Sequence, residues 1–391
     1  MKKRILTILF YFVAFASSNA QWQQTNGLYS GGGGGDVSSL AVSGNKLFAG
    51  TWNGIYQYND SGNNWTKANN GTNIWSMAAN GSNIYAGNQG NATIHVLGQV
   101  LLSTDNGSNW LPIDSGLSCI SVYALAVSGS NIFAGTGENG VFLSTNNGKF
   151  WTDMGAGKVT ALAVSGANLL AGYDGGGVGL STNNGTSWTA INTGLTDLHV
   201  FALAINGNNW FAGTLNGGVF LSSNNGSNWT AVNTGLKDTT IYCLCVSGNN
   251  LFAGTNGGGV FLSTNNGSNW AYTGLTVVRT LITKGDTLFA GTWGSGVFKA
   301  DLSVITGVNQ MKINKEKSSV YPNPAQDRIT VELSTEGRYN LSMSNILGQV
   351  VSTMQFTGTK TDLDVAMLPK GVYFVQVSSD QSKTVKKVVI Q

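Results

Sequence analysis

Six tryptophans, Trp65, Trp110, Trp151, Trp188, Trp229 and Trp270, end six copies of one pattern, spaced by 45, 41, 37, 41 and 41 residues. A period near 41 restricts the chain to supersecondary units that stack or form a ring. One copy places Val200–Ile205, Trp210–Thr214, Gly218–Ser222 and Asn228–Val232 in succession. Each run is short, rich in β-branched or aromatic residues and bounded by Gly or Asn, which predicts four antiparallel strands joined by tight turns. One repeat is therefore one four-stranded sheet.

A seventh copy begins at Val278, runs through Phe289–Thr292 to Val297 and Phe298, and stops at Asp301 without its tryptophan strand. The missing piece stands at the other end of the chain. Residues Trp22–Leu28 match Trp229–Leu236 apart from one deleted residue, and no strands of their own repeat precede them. The N-terminal segment is thus expected to supply the outer strand of the last sheet and leave no sheet incomplete. This predicts an all-β, seven-bladed β-propeller over residues 21–305. An open solenoid is the rival, but a repeat split between the two ends serves only a closed ring.

With 54 Gly and only 10% charged residues the chain could pass for low complexity, yet 11 Trp, 12 Tyr and 16 Phe supply the apolar bulk of a folded core. The glycines punctuate turns. Between the third and fourth strands stands S-x-D-x-G-x-x-W, as Ser103-Thr-Asp105-Asn-Gly107-Ser-Asn-Trp110, with variants at Ser144–Trp151, Ser181–Trp188, Ser222–Trp229 and Ser263–Trp270. A degenerate copy, Tyr58–Trp65, keeps Asp60 and Gly62. The carboxylate or amide is expected to accept turn N–H groups, the Gly to take positive φ and the Trp to pack between blades. Asn146, Asn183, Asn224 and Asn265 replace the Asp of Asp105, keeping an acceptor and losing the charge. Six copies in register over about residues 37–300 resemble the Asp-box family, also called bacterial neuraminidase repeats. The resemblance implies a structural turn on the rim away from the active face. Its members include sialidases, xyloglucan-cleaving hydrolases, sortilin-type receptors and photosystem assembly factors, so it implies fold and leaves function open.

Residues 1–20 read as a secretory signal: Lys2, Lys3 and Arg4, an apolar run from Ile5 to Phe15, and small residues before a cleavage expected after Ala20. The run is too short to span a bilayer, so no transmembrane segment is expected in the mature chain. Residues 306–317 read as a linker. From Val320 a second domain starts, and Tyr321-Pro322-Asn323-Pro324, Ile329–Leu333, Ile346–Val350, Leu368–Val375 and Lys386–Ile390 predict about seven short strands and a small Ig-like β-sandwich over 318–391. These motifs, in this order, resemble the C-terminal sorting domain of type IX secretion found in Bacteroidetes. The resemblance implies a partner, the type IX machinery, and delivery through the periplasm to the medium or the outer-membrane surface.

Residues 21–309 hold 8 Lys/Arg against 11 Asp/Glu, which leaves no electrostatic footprint for nucleic acid. Sialidase chemistry, with its three arginines, is excluded by arithmetic: residues 21–305 contain one Arg, Arg279, and one Glu, Glu138. If the chain is a hydrolase, Glu138 and Asp174 are the candidate carboxylate pair, since they occupy equivalent loops between second and third strands of adjacent blades. No metal or other cofactor is expected: His95 and His199 are the only histidines and stand in separate loops. Cys243 and Cys245, on one face of one strand, read as small core residues in a column held elsewhere by Ala.

Binding has more support. Propellers bind where the loops joining second to third strands and the starts of the inner strands gather. There the chain places Trp52, Tyr173 and Trp293 in loops, with Trp52 and Trp293 in blades that become neighbours on closure. The column at the inner-strand starts reads Ser38, Trp75, Tyr123, Thr160, Phe201, Tyr242 and Arg279. Such an aromatic face suits a glycan or protein ligand, although side chains that merely plug a channel look the same. The insertion Asn88–Gln99 lengthens a loop on that face. Asp286-Thr287-Leu288 fits the short O-glycosylation sequon of Bacteroidetes.

Overall fold

The computed structural model describes residues 22–28, 35–69, 73–90, 93, 96–155, 157–306, 318–345, 349–379 and 383–391. The expected signal peptide, nearly all of the linker and His95 lie outside the described residues. The chain divides near residue 307 into two compact units.

Among the described residues the first unit holds seven four-stranded antiparallel sheets. The first is Val37–Ser43, Lys46–Thr51, Gly54–Asn59 and Asn64–Asn69, and the fifth is Val200–Asn206, Asn209–Thr214, Val219–Ser222 and Thr230–Ala231. The seventh takes Val278–Lys284, Thr287–Thr292 and Val297–Asp301 from late in the chain and its outermost strand, Gln23–Gln24, from the beginning. Gln23 stands opposite Lys299 and Gln24 opposite Phe298, so the N-terminal segment completes the sheet as the sequence predicts. Each inner strand contacts the inner strand of the next sheet, and Val278–Lys284 contacts Val37–Ser43, which returns the succession to its start.

One glycine column sets how close the sheets approach. A Cβ built on Gly50 would lie 2.5 Å from Ile74 Cγ2 of the second sheet. One on Gly291 of the seventh would lie 2.6 Å from Val37 Cγ1 of the first. The recurring Ala-Gly-Thr thus leaves room for the β-branched residue that opens the next inner strand. The seam between seventh and first sheets is packed like the others: Leu28, Val37, Tyr58, Trp65, Phe289 and Val297 form one buried cluster.

The turns of the S-x-D/N-x-G-x-x-W pattern carry a repeated bond set. Ser144 Oγ donates to Asn146 Oδ1 at 2.9 Å and accepts from Gly148 N at 2.8 Å, while Phe150 N donates to Asn146 Oδ1 at 3.0 Å. The Asn after the acceptor is left-handed as well as the Gly, with φ of 59° at Asn147 and 83° at Gly148, a conformation both residues tolerate. At Asp105 the backbone N–H of Asn109, its side-chain amide and the Ser103 hydroxyl hold the carboxyl down to about 2. The box tryptophans reach back one sheet: the Trp229 indole N–H donates to Ile191 O at 2.7 Å and that of Trp270 to Val232 O at 2.7 Å. Trp22 makes the equivalent bond to Thr273 O at 3.0 Å, and Trp65 donates to Thr25 Oγ1 at 2.8 Å. Trp110 and Trp188 depart from this pattern. The first bonds within its own turn, to Gly107 O, and the Trp188 indole nitrogen has no hydrogen-bond partner.

The degenerate copy corrects one expectation. Asp60 is not a turn acceptor: strand pairing continues to Asn59 and Asn64, Asn59 Oδ1 takes the Ser61 N–H, and Asp60 forms an ion pair with Lys284 of the seventh sheet. Without Ser at position 58 the hydroxyl that organises the turn is missing, and Tyr58 packs on Trp65 instead.

The second unit is one five-stranded antiparallel sheet. Where the sequence predicts about seven short strands, five are present among the described residues, two of them long, Arg328–Asn345 and Val350–Asp364, with a register break between Glu332 and Gly337. Ile329, Val331, Leu341, Met343, Val375 and Val388 share its core. The Tyr-Pro-Asn-Pro motif lies against the last strand, Asn323 donating to Lys387 O and accepting from Val389 N, both at 2.9 Å.

Two substitutions test the seam. Thr25 is fully buried, and its hydroxyl donates to Val297 O at 2.7 Å while accepting the Trp65 indole N–H. Thr25→Val leaves a buried indole unpaired, and chemical denaturation is expected to report a loss of about 1–3 kcal/mol. Gly291→Ala overpacks the same seam and is expected to cost about 1–3 kcal/mol. Unchanged midpoints in both would contradict closure through these contacts.

Candidate functional site

Every inner strand carries a register irregularity at one position, between Val37 and Ser39, Ile74 and Ser76, Val122 and Ala124, Val159 and Ala161, Val200 and Ala202, Ile241 and Cys243, and Val278 and Thr280. The residue at each irregularity is Ser38, Trp75, Tyr123, Thr160, Phe201, Tyr242 or Arg279. A bulge re-aims the side chain it carries, and all seven residues line one cavity of about 340 Å³, together with Asp36, Val37, Lys158 and Trp293. The column read from the sequence is thus brought together by seven equivalent bulges.

The cavity has two aromatic walls. On one side Trp75 and Tyr123 meet edge to face with centroids 5.4 Å apart, and the Trp75 indole donates to Gln89 Oε1 at 2.9 Å. On the other, Phe201 meets Tyr242 at 6.5 Å, and Arg279 lies between two rings, its Cζ 3.9 Å from the Tyr242 centroid and 4.2 Å from that of Trp293. Cation–π contact of this kind stabilises a guanidinium by roughly 0.5–2 kcal/mol per ring. Burial draws the group below the ordinary arginine range, against the attraction of Tyr242 and Asp36, and it stays protonated at physiological pH. Arg279 Nε is buried with no hydrogen-bond partner, and Arg279 forms no ion pair among the described residues.

Trp52 and Trp293 meet edge to face at 5.2 Å across the seam, 38% and 42% exposed. Trp52 adjoins the cavity through Trp293 rather than lining it. Tyr173 does not join them. Its ring folds back over its own sheet, where a Cβ on Gly179 would lie 2.8 Å from it, and it packs on the core cluster of Phe133, Val141 and Val159. Burial pushes its phenol up to about 12. The apolar floor offered by two small neighbours, Gly176 and Gly179, draws the ring inward. The insertion keeps Val96 and Leu97 half exposed on the cavity face, and Gly90 and Gly98 donate to Ile120 O and Cys119 O.

The carboxylate pair is occupied by the protein. Glu138 Oε2 accepts from Ile120 N at 3.0 Å and Ser121 N at 3.4 Å, and Asp174 accepts from Lys158 at 2.7 Å, which holds that ammonium above the usual lysine range. His199 lies beyond, its Nδ1 3.0 Å from Asp197 Oδ1 and its Nε2 3.9 Å from Asp174 Oδ1. Sequence reading passed over Asp197 and Asp238. Asp238 Oδ2 accepts from Gly257 N at 2.6 Å and Gly258 N at 3.0 Å, and Asp197 does the same for Asn216 and Gly217. Burial raises the Asp238 carboxyl, but the Thr240, Gly257 and Gly258 N–H groups outweigh it and leave it low. Their shared place two residues after Leu195 and Leu236 was the available signal. Thr287 of the sequon is half buried at the start of its strand, opposite Lys284 and Asp301.

Comparison with known proteins divides along the two units. Residues 319–391 match the secretion system C-terminal sorting domain. No curated protein matches the chain. Among solved structures the chain is similar to the GH74 xyloglucanase from Xanthomonas campestris, with 11% identity, a TM-score of 0.59, and 94% of this chain and 75% of that one covered. It is similar to the GH74 enzyme of Niastella koreensis, with 16% identity, a TM-score of 0.56, and 92% and 73% covered. A structure of YCF48 bound to D1 peptide gives 14% identity, a TM-score of 0.55, and 72% and 96% covered. At such identities these likenesses establish the β-propeller fold and nothing of its chemistry. The tail supports export by type IX secretion to the medium or the cell surface.

The thiols are free, and burial raises all of them, Cys119 to about 12, Cys245 to about 11 and Cys243 further still. Iodoacetamide at pH 8 is therefore expected to alkylate the native chain at least about a hundredfold more slowly than the denatured one. Cys119 is buried and Cys243 and Cys245 are half-buried, and rapid native labelling of Cys119 would contradict its burial.

Proposed function

We propose that the chain is a secreted or cell-surface binding module, a seven-bladed Asp-box propeller that seats a glycan or protein ligand at its aromatic central mouth and is delivered by its type IX sorting domain. The observation that carries the reading is the convergence of seven bulged residues, four of them aromatic, on one open cavity flanked by the exposed Trp52 and Trp293. Val96, Leu97 and Leu198 add exposed apolar side chains in loops at the same ends of their strands. In fold, the YCF48 structure bound to D1 peptide provides a precedent for a propeller with a bound peptide.

The second reading, a xyloglucanase-like hydrolase, draws on the GH74 likeness in fold and on Glu138 and Asp174. Both carboxylates are held by protein partners, which disfavours a free acid and base pair. A scaffold without a small ligand is the third reading.

Trp52→Ala and Trp293→Ala separate these readings when the full chain is screened against immobilised polysaccharides and peptides with product masses recorded. Retention of a ligand, at least about tenfold weaker in the variants with an unchanged melting temperature, supports the module. New products abolished by Glu138→Gln and Asp174→Asn would replace it with the hydrolase. Deleting 318–391 is expected to leave the protein in the periplasm, and normal surface delivery of the truncated chain would contradict the sorting role.

A further inference from the structure

We infer that the central mouth takes a carboxylate borne by an apolar stretch of peptide, with the Arg279 guanidinium, unpaired between Tyr242 and Trp293, as its anchor; this rests on the reading of that mouth as a binding site. Three observations meet here. Contact with two rings, at 3.9 and 4.2 Å from Cζ to the centroids, holds the guanidinium in the cavity lining, and a guanidinium suits a planar carboxylate. Nε is buried and has no partner, a donor left unmade at a cost unless a ligand meets it. The other cation lining the cavity, Lys158, is already held by Asp174 at 2.7 Å. Asp36 lines the cavity as well and attracts the guanidinium through space, but no ion pair joins them.

The remaining lining favours peptide over sugar. A glycan needs directional partners for several hydroxyls, and here part of the polar lining is spent on the protein. Trp75 donates to Gln89, Tyr242 donates to Asn256 Oδ1 at 3.0 Å, and the single Thr160 hydroxyl proton is shared between the carbonyls of Gly172 and Val200. What the cavity leaves open is ring surface, the one cation, the Asp36 carboxylate and the Ser38 and Tyr123 hydroxyls. Around it Trp52, Val96, Leu97 and Leu198 offer apolar purchase for flanking residues. Aromatic anchors beside a desolvated arginine are the composition of a peptide-binding hot spot.

The test measures binding of a synthetic library of nonapeptides built from Phe, Leu, Val, Gly and Ser to the full chain by biolayer interferometry. The library is made with a free C-terminal carboxylate, as the amide, and as the amide with one internal Glu. Xyloglucan oligosaccharide and oligogalacturonate run in parallel. One or both carboxylate-bearing forms are expected to bind at least about tenfold tighter than the neutral amides, and which one does so identifies a terminal or side-chain source. Arg279→Gln is expected to erase that difference and Arg279→Lys to retain part of it. Asp36→Asn, which removes a competing carboxylate, is expected to tighten binding about threefold. If Arg279→Gln fails to fold, the Asp36→Asn gain and the weakening of wild-type binding by salt decide the matter. Equal binding of the neutral amides would overturn the carboxylate anchor and leave the binding module standing. Retention of sugars alone would overturn the peptide and also leave the module. Silence in every arm would overturn both.

Discussion

Each sheet of the first unit has two apolar faces and can bury neither by itself, so every other feature depends on the sheets covering one another in an unbroken succession. The contact that enforces this is small: a glycine in the second strand of one sheet beneath a β-branched residue opening the inner strand of the next. It recurs at the seam, where Gly291 lies under Val37. Only there do the partners come from opposite ends of the chain, and the seam carries more than its glycine. Thr25 and Leu28 bring a hydroxyl and a buried apolar side chain to it, while Trp22 ties the same segment back to the sixth sheet through Thr273 O. Because a gap would leave two apolar faces and a strand edge exposed, the N-terminal segment acts as part of the last sheet.

The succession also builds the mouth. A regular inner strand would alternate its side chains between the two faces of its own sheet. The bulge at its start breaks that alternation and turns one residue per sheet toward the central cavity. Seven bulges placed alike around the inner strands set seven side chains into one space, each from rigid backbone. Loops contribute less. Trp293 reaches the cavity and Trp52 leans on Trp293, while Tyr173, equally a loop-adjacent aromatic, collapses onto its own sheet.

The charges are distributed so that most are spent locally. Glu138, Asp197 and Asp238 hold backbone N–H groups of loops, Lys158 and Asp174 hold each other, and Asp60 ties the first sheet to Lys284 of the seventh. Arg279 stands apart, held against two rings and unpaired. In a cavity walled by rings the effective dielectric falls, and a lone cation there attracts an anion more strongly than a surface residue would.

The sequence by itself determined the repeat, the four strands within it, most of the turns between third and fourth strands and the borrowed outer strand, because each follows from local periodicity and turn chemistry that act within a few residues. It also identified the column at the inner-strand starts, since a repeat aligns equivalent positions whatever their side chains. Tertiary structure alone decided which of these residues meet. Trp52 pairs with Trp293 only because the ring closes, and Tyr173 leaves the site because Gly176 and Gly179 open an apolar floor beneath it. Asp60 gives up its turn for Lys284, more than 200 residues away in the chain. Arg279 becomes an orphan cation because Asp36, its near neighbour across the seam, does not reach it. These outcomes depend on distances between sheets, which a pattern read along one chain does not contain.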